Sequence, residues 1–369
     1  MSIISTEERA AMRDSFARLL AEHSDEDHVR NAMVMEDGYD HDLWRLMSDM
    51  GLLGLIIDPK HGGIGGDAIL LESLMEEAGK HLLCSPFIST SVWAARLLSD
   101  VSDAALKEEL LGAICSGDKI FAVVATGERG LWTADDIAVS ASKNGEDWTL
   151  SGTASYIVHA AGADTLLVFA RTDSGLAAFL VDPSQSALTI SRLKANDPTL
   201  RLSKIDFSDV SARHLPGIDA QSYSTALDLA RVALAGEHAG GVKRIFEITM
   251  DYLRTRHQFG RQIGSYQSLK HMAADMLVEV ESATSAAQHA ARAIATEAED
   301  AQALINLAGF ACADAYRDVS AEAIQMHGGI AYTWEHPAHL YWRRARTGLW
   351  LFGSSDHHRE QYLAQLEAA

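Results

Sequence analysis

The chain has 369 residues, of which 47% are hydrophobic and 22% are charged, and its 51 acidic residues outnumber its 31 basic ones by 20. At about 100–200 residues per domain, this length predicts two or three domains. The negative charge excludes a general affinity for nucleic-acid backbones or anionic membranes, so a polyanionic ligand needs a local basic site. The three cysteines, Cys84, Cys115 and Cys312, lie far apart, which excludes a disulfide framework and a CxxC metal site and favours a reducing compartment.

The first residues do not have the pattern of a signal peptide, because charge stands where its apolar core would lie. Ser5 and Glu8 instead have the spacing of a capping box that opens a helix. No stretch approaches the roughly 20 apolar residues that span a bilayer. We therefore expect a soluble, cytoplasmic protein with neither a membrane nor a nucleic acid as partner.

Residues 1–117 are predicted to be helices joined by short loops, with apolar helical runs at 42–55 and 70–77. Between them, residues 58–66 are rich in glycine. A phosphate-binding loop is one interpretation, but the Walker lysine pattern and a preceding strand are both missing, so a tight turn between helices is favoured.

The pattern changes to short strands over residues 118–216, where Asn144-Gly145 is a strong hairpin signal. This part is predicted to be a small antiparallel β domain. The helical period returns over 217–369, where four long helices with few prolines indicate a four-helix bundle. The predicted fold class is α+β, in the order helical domain, β domain, four-helix bundle.

Two segments of the last region are specific in sequence. The first runs from Arg254 to Gln267 and reads Arg-Thr-Arg-His-Gln-Phe-Gly-Arg-Gln-Ile-Gly-Ser-Tyr-Gln; the second runs from Gln325 to Pro337 and reads Gln-Met-His-Gly-Gly-Ile-Ala-Tyr-Thr-Trp-Glu-His-Pro. Together with the α–β–α order, they resemble the acyl-CoA dehydrogenase family of flavoproteins over nearly the whole chain. The resemblance implies FAD bound across a subunit interface, with six cofactor-binding residues in these segments: Arg256, Phe259, Gln267, Gln325, Gly328 and Gly329.

The residues themselves leave a second interpretation open. Arg256 is able to clamp a phosphate or to interact with a helix C-terminus, and Phe259 is able to cover an adenine ring or to pack in a core. Gly328 and Gly329 either admit a ligand close to the backbone or end a helix.

The chemistry of the family requires a carboxylate base, because a proton α to the thioester carbonyl is removed while the β-hydride passes to the flavin. The resemblance places that base at Phe352 or, in some relatives, at Ala230, and neither side chain accepts a proton. Glu237 lies two helical turns beyond Ala230 and is the remaining candidate, with a salt-bridged structural glutamate as the alternative. Arg231, next to Ala230, is assigned by the resemblance to substrate binding.

The loops that face the flavin in the family have also changed. Thr126 is retained from the usual loop, whereas Tyr156 and Val158 stand where relatives have Trp and Thr; we expect these three residues beside the cofactor. Asp356 replaces a glutamine that contacts FAD. The basic run at 343–346 is able either to meet CoA phosphates or to pair with helix carboxylates. The adjacent His357 and His358 point in different directions on a helix, so no metal site is expected.

A retained phosphate clamp and a lost base are similar to the pattern of the non-base chain in two-component acyl-CoA dehydrogenases of the steroid side-chain type. We therefore predict an FAD-dependent acyl-CoA dehydrogenase subunit that lacks its own catalytic glutamate. Its expected partners are an acyl-CoA substrate, electron-transfer flavoprotein as acceptor, and either further copies of itself or a homologous chain. Two alternatives stay open: a non-catalytic structural partner of an active homologue, and a flavin-dependent monooxygenase of the same fold, which needs no base.

Overall fold

A computed structural model describes residues 4–368 of the chain. Its N-terminal part consists of helices α1 Thr6–His23, α2 Glu26–Val34, α3 His41–Asp49, α4 Ala68–Lys80, α5 Ala95–Leu98 and α6 Ala104–Cys115, with a π-helical segment at Ile88–Ala94 that leads into α5. The capping box before α1 is confirmed, because the Glu8 backbone N–H donates to Ser5 Oγ and the Ser5 N–H donates to the Glu8 carboxylate. Asp25, Asp40, Asp67 and Asp103 are the N-caps of the helices that follow them, and the carboxylate of each accepts from backbone N–H groups of the first turn.

The glycine-rich stretch between α3 and α4 is a tight turn, as predicted. Gly62 has a φ of +87°, a conformation that L side chains rarely adopt. A Cβ on Gly63 would lie 2.1 Å from the Ile57 carbonyl oxygen, so only glycine allows the chain to fold back at this point. The backbone here packs against itself, as expected of a turn.

The middle of the chain forms seven strands: β1 Phe121–Val124, β2 Ser140–Asn144, β3 Asp147–Val158, β4 Thr165–Thr172, β5 Gly175–Val181, β6 Leu188–Arg192 and β7 Leu202–Leu215. The β2–β3 hairpin turns at Gly145, as Asn144-Gly145 predicts. The sheet contains a closed ring of five strands in the order β4, β5, β7, β3 and β2, so each of these five has a neighbour on both sides. β1 and β6 lie outside the ring, where β1 pairs with β4 and β6 with β7.

The predicted antiparallel β domain is present, but its sheet is mixed. β1 pairs in parallel with β4 over four residues, and β2 meets β4 in parallel at the pair Ser140–Arg171. The long excursion from β1 to β4 returns the chain to the same end of the sheet, so β1 runs alongside β4 in the same direction.

The C-terminal part is helical again: α7 Ala220–Thr255, α8 Gln267–Ala295, α9 Ala301–His327, α10 Ala338–Gly348 and α11 Ser355–Ala368. A hairpin of two short strands, β8 His257–Gln258 and β9 Arg261–Gln262, joins α7 to α8. The long helices α7, α8 and α9 pack around a core rich in alanine, to which α10 also contributes side chains, and α11 packs against α9. No helix within residues 4–368 has the length and apolar character to cross a membrane.

Glycines bring α4 of the first region into close contact with α7 of the third. A Cβ on Gly240 would lie 1.8 Å from the Glu76 carbonyl oxygen, and a Cβ on Gly79 would lie 1.9 Å from that of Glu237. The two helix backbones therefore touch where they cross. This crossing turns Glu237 toward the space between the helices and the β strands.

Candidate functional site

The end of α7 presents an arginine and a phenylalanine to solvent. Arg256 directly follows the helix, and its exposed guanidinium makes no ion pair or hydrogen bond with any residue in 4–368. Phe259 lies at the tip of the β8–β9 hairpin with a φ of +53°, and its side chain is 90% exposed. Among residues 4–368, its one ring contact is with Tyr266, whose ring centroid is 6.5 Å away and whose ring is perpendicular to that of Phe259. Both side chains thus face away from the chain that carries them.

The glycine turn after α9 lies at the same end of the bundle. The ring of Tyr252, one turn before the end of α7, stacks on His327, the last residue of α9, with centroids 4.5 Å apart. Gly328 follows with a φ of +69°, and a Cβ on Gly328 or Gly329 would meet no atom within 4 Å. Gln267 and Gln325, the two glutamines that the resemblance adds to this group, are exposed at the start of α8 and near the end of α9.

Phe352 occupies the centre of an aromatic cluster at the other side of α7. Its side chain is 1% exposed, and its ring lies 5.3 Å from that of Trp93 and 5.0 Å from that of Trp132, both edge to face. Its backbone is held as well, because Arg231 Nε donates to the Phe352 carbonyl at 2.8 Å while Arg231 Nη1 pairs with Asp228. The Arg231 guanidinium, which the resemblance assigns to substrate binding, thus already has two partners within this chain.

Behind Phe352 lies a small cavity of about 30 Å³, which Glu237, Arg344 and Val158 also line. That volume holds one or two water molecules. Pockets that bind drug-sized ligands have several hundred Å³, so an acyl chain does not fit in this conformation. Ala230, the second position at which the family carries its base, is fully buried nearby in the core.

Glu237 is held in a buried ion network. Arg344 Nη1 donates to Glu237 Oε1 at 3.0 Å, and Arg344 Nε lies 3.5 Å from Asp197 Oδ2 and donates to Thr199 Oγ1 at 2.9 Å. Burial raises the pKa of Glu237, and the Arg344 guanidinium opposes that shift. Burial acts to lower the pKa of Arg344, but Glu237 and Asp197 outweigh it and hold that pKa above its usual value. The guanidinium therefore stays charged, and Glu237 has a structural partner.

The loop before Trp132 is folded onto itself by Asp136. One oxygen of the Asp136 carboxylate accepts hydrogen bonds from the backbone N–H groups of Gly127 and Leu131, at 3.1 and 2.9 Å, and the other accepts from Arg129. The Thr126 hydroxyl donates to the Ser155 carbonyl at 2.7 Å. These amides and this hydroxyl have partners within the chain, so they are not free for a ligand.

A larger pocket of about 550 Å³ opens on the outer side of this loop. Tyr156 and Trp350, 44% and 67% exposed, line it together with Trp132 and the exposed Arg346. Trp132 Nε1 donates to the Trp350 carbonyl at 2.8 Å, which fixes the indole between the outer pocket and Phe352. The aromatic pair Trp132–Phe352 therefore separates the outer pocket from the cavity beside Glu237.

Comparisons with known proteins identify the family. Residues 6–118 match the acyl-CoA dehydrogenase N-terminal domain, and residues 220–367 match the acyl-CoA dehydrogenase C-terminal domain. The chain is 32% identical to acyl-CoA dehydrogenase IpdE2 of Mycobacterium tuberculosis over 92% of this chain and 91% of that protein. The chain belongs to the acyl-CoA dehydrogenase family. The family, the three-region fold and the class of FAD-dependent acyl-CoA dehydrogenases that the resemblance implied are thereby confirmed.

Two solved structures extend the comparison to heteromeric relatives. One is the ChsE4-ChsE5 complex from Mycobacterium tuberculosis, with a TM-score of 0.91, 25% identity and full coverage of both chains. The other is a variant of the Tcur3481-Tcur3483 steroid acyl-CoA dehydrogenase, with a TM-score of 0.88 and 26% identity over 98% of this chain and 99% of that one. Both names join two proteins.

The structure groups the site residues that the family resemblance predicts in two places. Arg256, Phe259, Gln267, Gln325 and the Gly328-Gly329 pair are exposed at one end of the bundle. The remaining predicted residues surround the aromatic cluster: Phe352, Ala230, Arg231, Glu237, Val158, Thr126 and Tyr156.

Sequence reasoning missed Trp93 and Trp132. For the basic run 343–346 it left open a pairing with helix carboxylates, and Arg344 makes that pair with Glu237. Trp132 carried a weak signal, as a bulky residue that follows the loop containing Gly127 and Gly130. Nothing in the sequence indicated Trp93. Within residues 4–368, no group of three His, Cys, Asp or Glu side chains is placed to hold a metal ion.

Proposed function

We propose that this chain is the base-free subunit of a two-component acyl-CoA dehydrogenase. One observation carries the proposal: Phe352, at the family's base position, is buried against Trp93 and Trp132 beside a cavity of about 30 Å³. A phenyl ring accepts no proton, and the cavity admits no acyl chain. The carboxylate that removes the α-proton then comes from a homologous partner chain.

The exposed end of the helical bundle has the residues that a subunit needs in order to bind part of FAD. Arg256 offers a guanidinium without a partner inside the described chain, which suits the pyrophosphate of FAD. The exposed Phe259 ring suits the adenine, and the open backbone at Gly328 and Gly329 allows close approach. When bound, FAD supplies the hydride acceptor; this chain holds the cofactor's phosphates and shields it from water.

The relatives support a hetero-oligomer over further copies of this chain alone. ChsE4-ChsE5 and Tcur3481-Tcur3483 are each named as a pair, and the latter as a steroid enzyme. We extend this to a bulky, steroid-derived acyl-CoA as substrate and to electron-transfer flavoprotein as electron acceptor. The three cysteines form no disulfide, which fits the reducing cytoplasm as the place of action.

The first test is the flavin content of the purified chain, alone and co-expressed with a homologous acyl-CoA dehydrogenase chain that carries the catalytic glutamate. We expect a colourless protein alone and bound FAD, with acyl-CoA-dependent dye reduction, in the complex. Stoichiometric FAD and turnover by this chain alone would contradict the proposal. Oxygen consumption with reduced flavin and no acyl-CoA would indicate the monooxygenase alternative instead.

The second test separates a flavin-binding subunit from a purely structural one. Arg256→Ala in the co-expressed complex should lower FAD content by roughly tenfold or more, because a charged phosphate loses its counter-charge. Arg254→Ala is the matched control, since Arg254 lies close by on α7, is exposed and pairs with Asp251 at 3.2 Å. Equal FAD content in both variants would favour the structural partner, an alternative that the self-bonded loop at Thr126 and Asp136 also supports.

A further inference from the structure

The outer pocket in front of Trp132 has a volume of about 550 Å³, which is within the range of small-molecule sites. Its walls are largely aromatic and aliphatic, and they include Tyr156, Trp350, Leu131 and Leu351. None of the residues that line it is acidic, although the chain as a whole carries a net charge of −20. The pocket therefore offers apolar surface to a ligand and does not repel an anion.

One wall of the pocket is made by a strained residue of β3. The register between β3 and β7 shifts between Ala154 and Ile157, and Tyr156 in this irregularity has a φ of +64°. A bulky residue rarely adopts that conformation, and backbone strain of this kind is found mainly at functional sites. A Cβ on Gly130 would lie 2.2 Å from Tyr156 Cδ2, so only glycine leaves room for the phenol ring there. The strand irregularity and this glycine thus hold the ring at the pocket.

Two tryptophans make a second wall. Trp132 is buried, and its Nε1 donates to the Trp350 carbonyl at 2.8 Å, which fixes the indole. The Trp350 ring is exposed, although an indole is a large apolar surface that is normally buried or used in binding. Trp132 and Tyr156 are thus held in place by the chain itself. Rigid walls favour a rigid ligand, because neither partner then loses conformational freedom on binding.

Arg346 supplies a free positive charge at this pocket. Its side chain is exposed, and its guanidinium makes no ion pair or hydrogen bond with any residue of the described range 4–368. The other guanidinium in the lining, that of Arg129, is already paired with Asp136 at 2.8 Å. Burial and the Arg231 charge lower the pKa of His357, so that ring is neutral. A single unpaired guanidinium beside apolar walls suits a ligand that carries one carboxylate.

The polar groups of the neighbouring loop narrow the choice of ring system. A flavin has nitrogen and oxygen atoms along its ring edge that need hydrogen-bond partners. The backbone N–H groups of Gly127 and Leu131 and the Thr126 hydroxyl are used within the chain. An aliphatic fused-ring skeleton needs no such partners, and it covers the aromatic walls equally well. The walls therefore suit an aliphatic ring system better than a flavin.

We propose that the outer pocket binds a fused-ring carboxylic acid, with its ring skeleton against Tyr156 and the two tryptophans and its carboxylate at Arg346. The skeleton removes the exposed Trp350 and Leu131 side chains from water, and the guanidinium neutralises the carboxylate. The site shares no residue with the exposed end of the bundle that offers Arg256 to FAD. It does not depend on the two-component assignment, because every residue that forms it belongs to this chain.

The test is calorimetric titration of the purified full-length chain with cholate, a carboxylate on a fused-ring skeleton, below the concentration at which it forms micelles. We expect cholate to bind, and its uncharged methyl ester to bind about tenfold more weakly. Decanoate, a flexible chain with the same charge, should also bind more weakly, and riboflavin should not bind. Arg346→Gln should weaken cholate about tenfold and leave the methyl ester unchanged, since only the carboxylate loses its partner. Trp350→Ala should weaken cholate and its methyl ester equally, since both lose the same apolar wall.

Trp334→Ala is the matched control, because Trp334 is also an exposed tryptophan but does not line this pocket, and it should leave cholate affinity unchanged. Thermal melting of each variant shows whether it is folded. If Trp350→Ala is unfolded, Gly130→Ala replaces it, since a Cβ there displaces the Tyr156 ring and should also weaken cholate.

Three results would overturn the proposal. The first is absence of cholate binding at millimolar concentration. The second is binding of decanoate or riboflavin as tight as that of cholate, because the pocket would then not select a fused-ring acid. The third is a cholate affinity that is the same in the wild type, Arg346→Gln and Trp350→Ala, because cholate would then bind elsewhere on the chain.

Discussion

Replacement of Phe352 by glutamate restores the residue type that the family uses as its base, and we expect it to destabilise the chain without creating an enzyme. The ring is 1% exposed and makes two edge-to-face contacts, with Trp93 and Trp132. Truncation of a buried phenylalanine costs about 3–5 kcal/mol. Each aromatic pair adds about 0.5–1.5 kcal/mol beyond buried area, so Phe352→Glu should cost about 4 kcal/mol or more.

The cost should also depend on pH. A carboxylate introduced into this apolar cluster has its pKa raised by burial, above its value in the unfolded chain. Such a carboxylate lowers the free energy of unfolding least at pH values below its pKa in the unfolded chain. The loss of free energy grows as the pH rises toward the pKa of the carboxylate in the folded chain. The free energy of unfolding of Phe352→Glu should therefore fall from about pH 5 to about pH 8 relative to wild type.

Urea denaturation measures this loss, and Phe352→Leu is the matched control. Leucine keeps most of the apolar volume, so it should cost about 1.5 kcal/mol or less. Acyl-CoA-dependent dye reduction by Phe352→Glu, without a partner chain, is the second measurement, and none is expected because Trp132 still closes the cavity. A variant that stays as stable as the leucine control and turns over by itself would refute the aromatic cluster as a barrier and the two-component assignment with it.

Three further predictions follow from buried groups and close backbone contacts. Glu237→Leu leaves the buried Arg344 guanidinium without its carboxylate partner, so the free energy of unfolding measured by urea denaturation should fall by about 3 kcal/mol. Turnover of the co-expressed complex should be unchanged. A variant that loses turnover but keeps full stability would make Glu237 catalytic. Burial, reinforced by the neighbouring Glu76 carboxylate, raises the pKa of Glu72 to about 8, so stability that is fully present below about pH 4.5 should be lost as pH rises through about 8. Glu72→Gln should remove the pH dependence of the unfolding free energy between about pH 4.5 and about pH 8. An unchanged curve would show that Glu72 is not the group that titrates in this range. Gly240→Ala would place a Cβ 1.8 Å from the Glu76 carbonyl oxygen and should lower the free energy of unfolding by about 3 kcal/mol. The control Gly112→Ala in α6 meets no atom within 4 Å and should raise that free energy by about 0.5–1 kcal/mol. Equal urea midpoints for the two variants would contradict the close crossing of α4 and α7.

The sequence determined by itself those features whose physics is local. The capping box of Ser5 and Glu8, the turn at Gly62 and the hairpin at Gly145 depend on neighbouring residues, and the structure confirms each of them. The two specific segments around Arg256 and Gly328 identified the family, and through it the cofactor FAD, because the order of their residues is characteristic without knowledge of the fold. Phe352 at the base position was also evident in the sequence, as a side chain that cannot accept a proton.

Only the tertiary structure decided what replaces the lost chemistry. Trp93, Trp132 and Phe352 are separated along the chain by up to 259 positions, so nothing in local pattern indicates that their rings meet. The partner of Glu237 is likewise Arg344, which a helix-spacing argument from Ala230 does not find. The parallel pairing of β1 with β4 has the same origin, since strand direction follows from the path between strands rather than from their composition. Contacts between distant segments result from packing the whole chain, and in this protein those contacts close the cavity beside the base position.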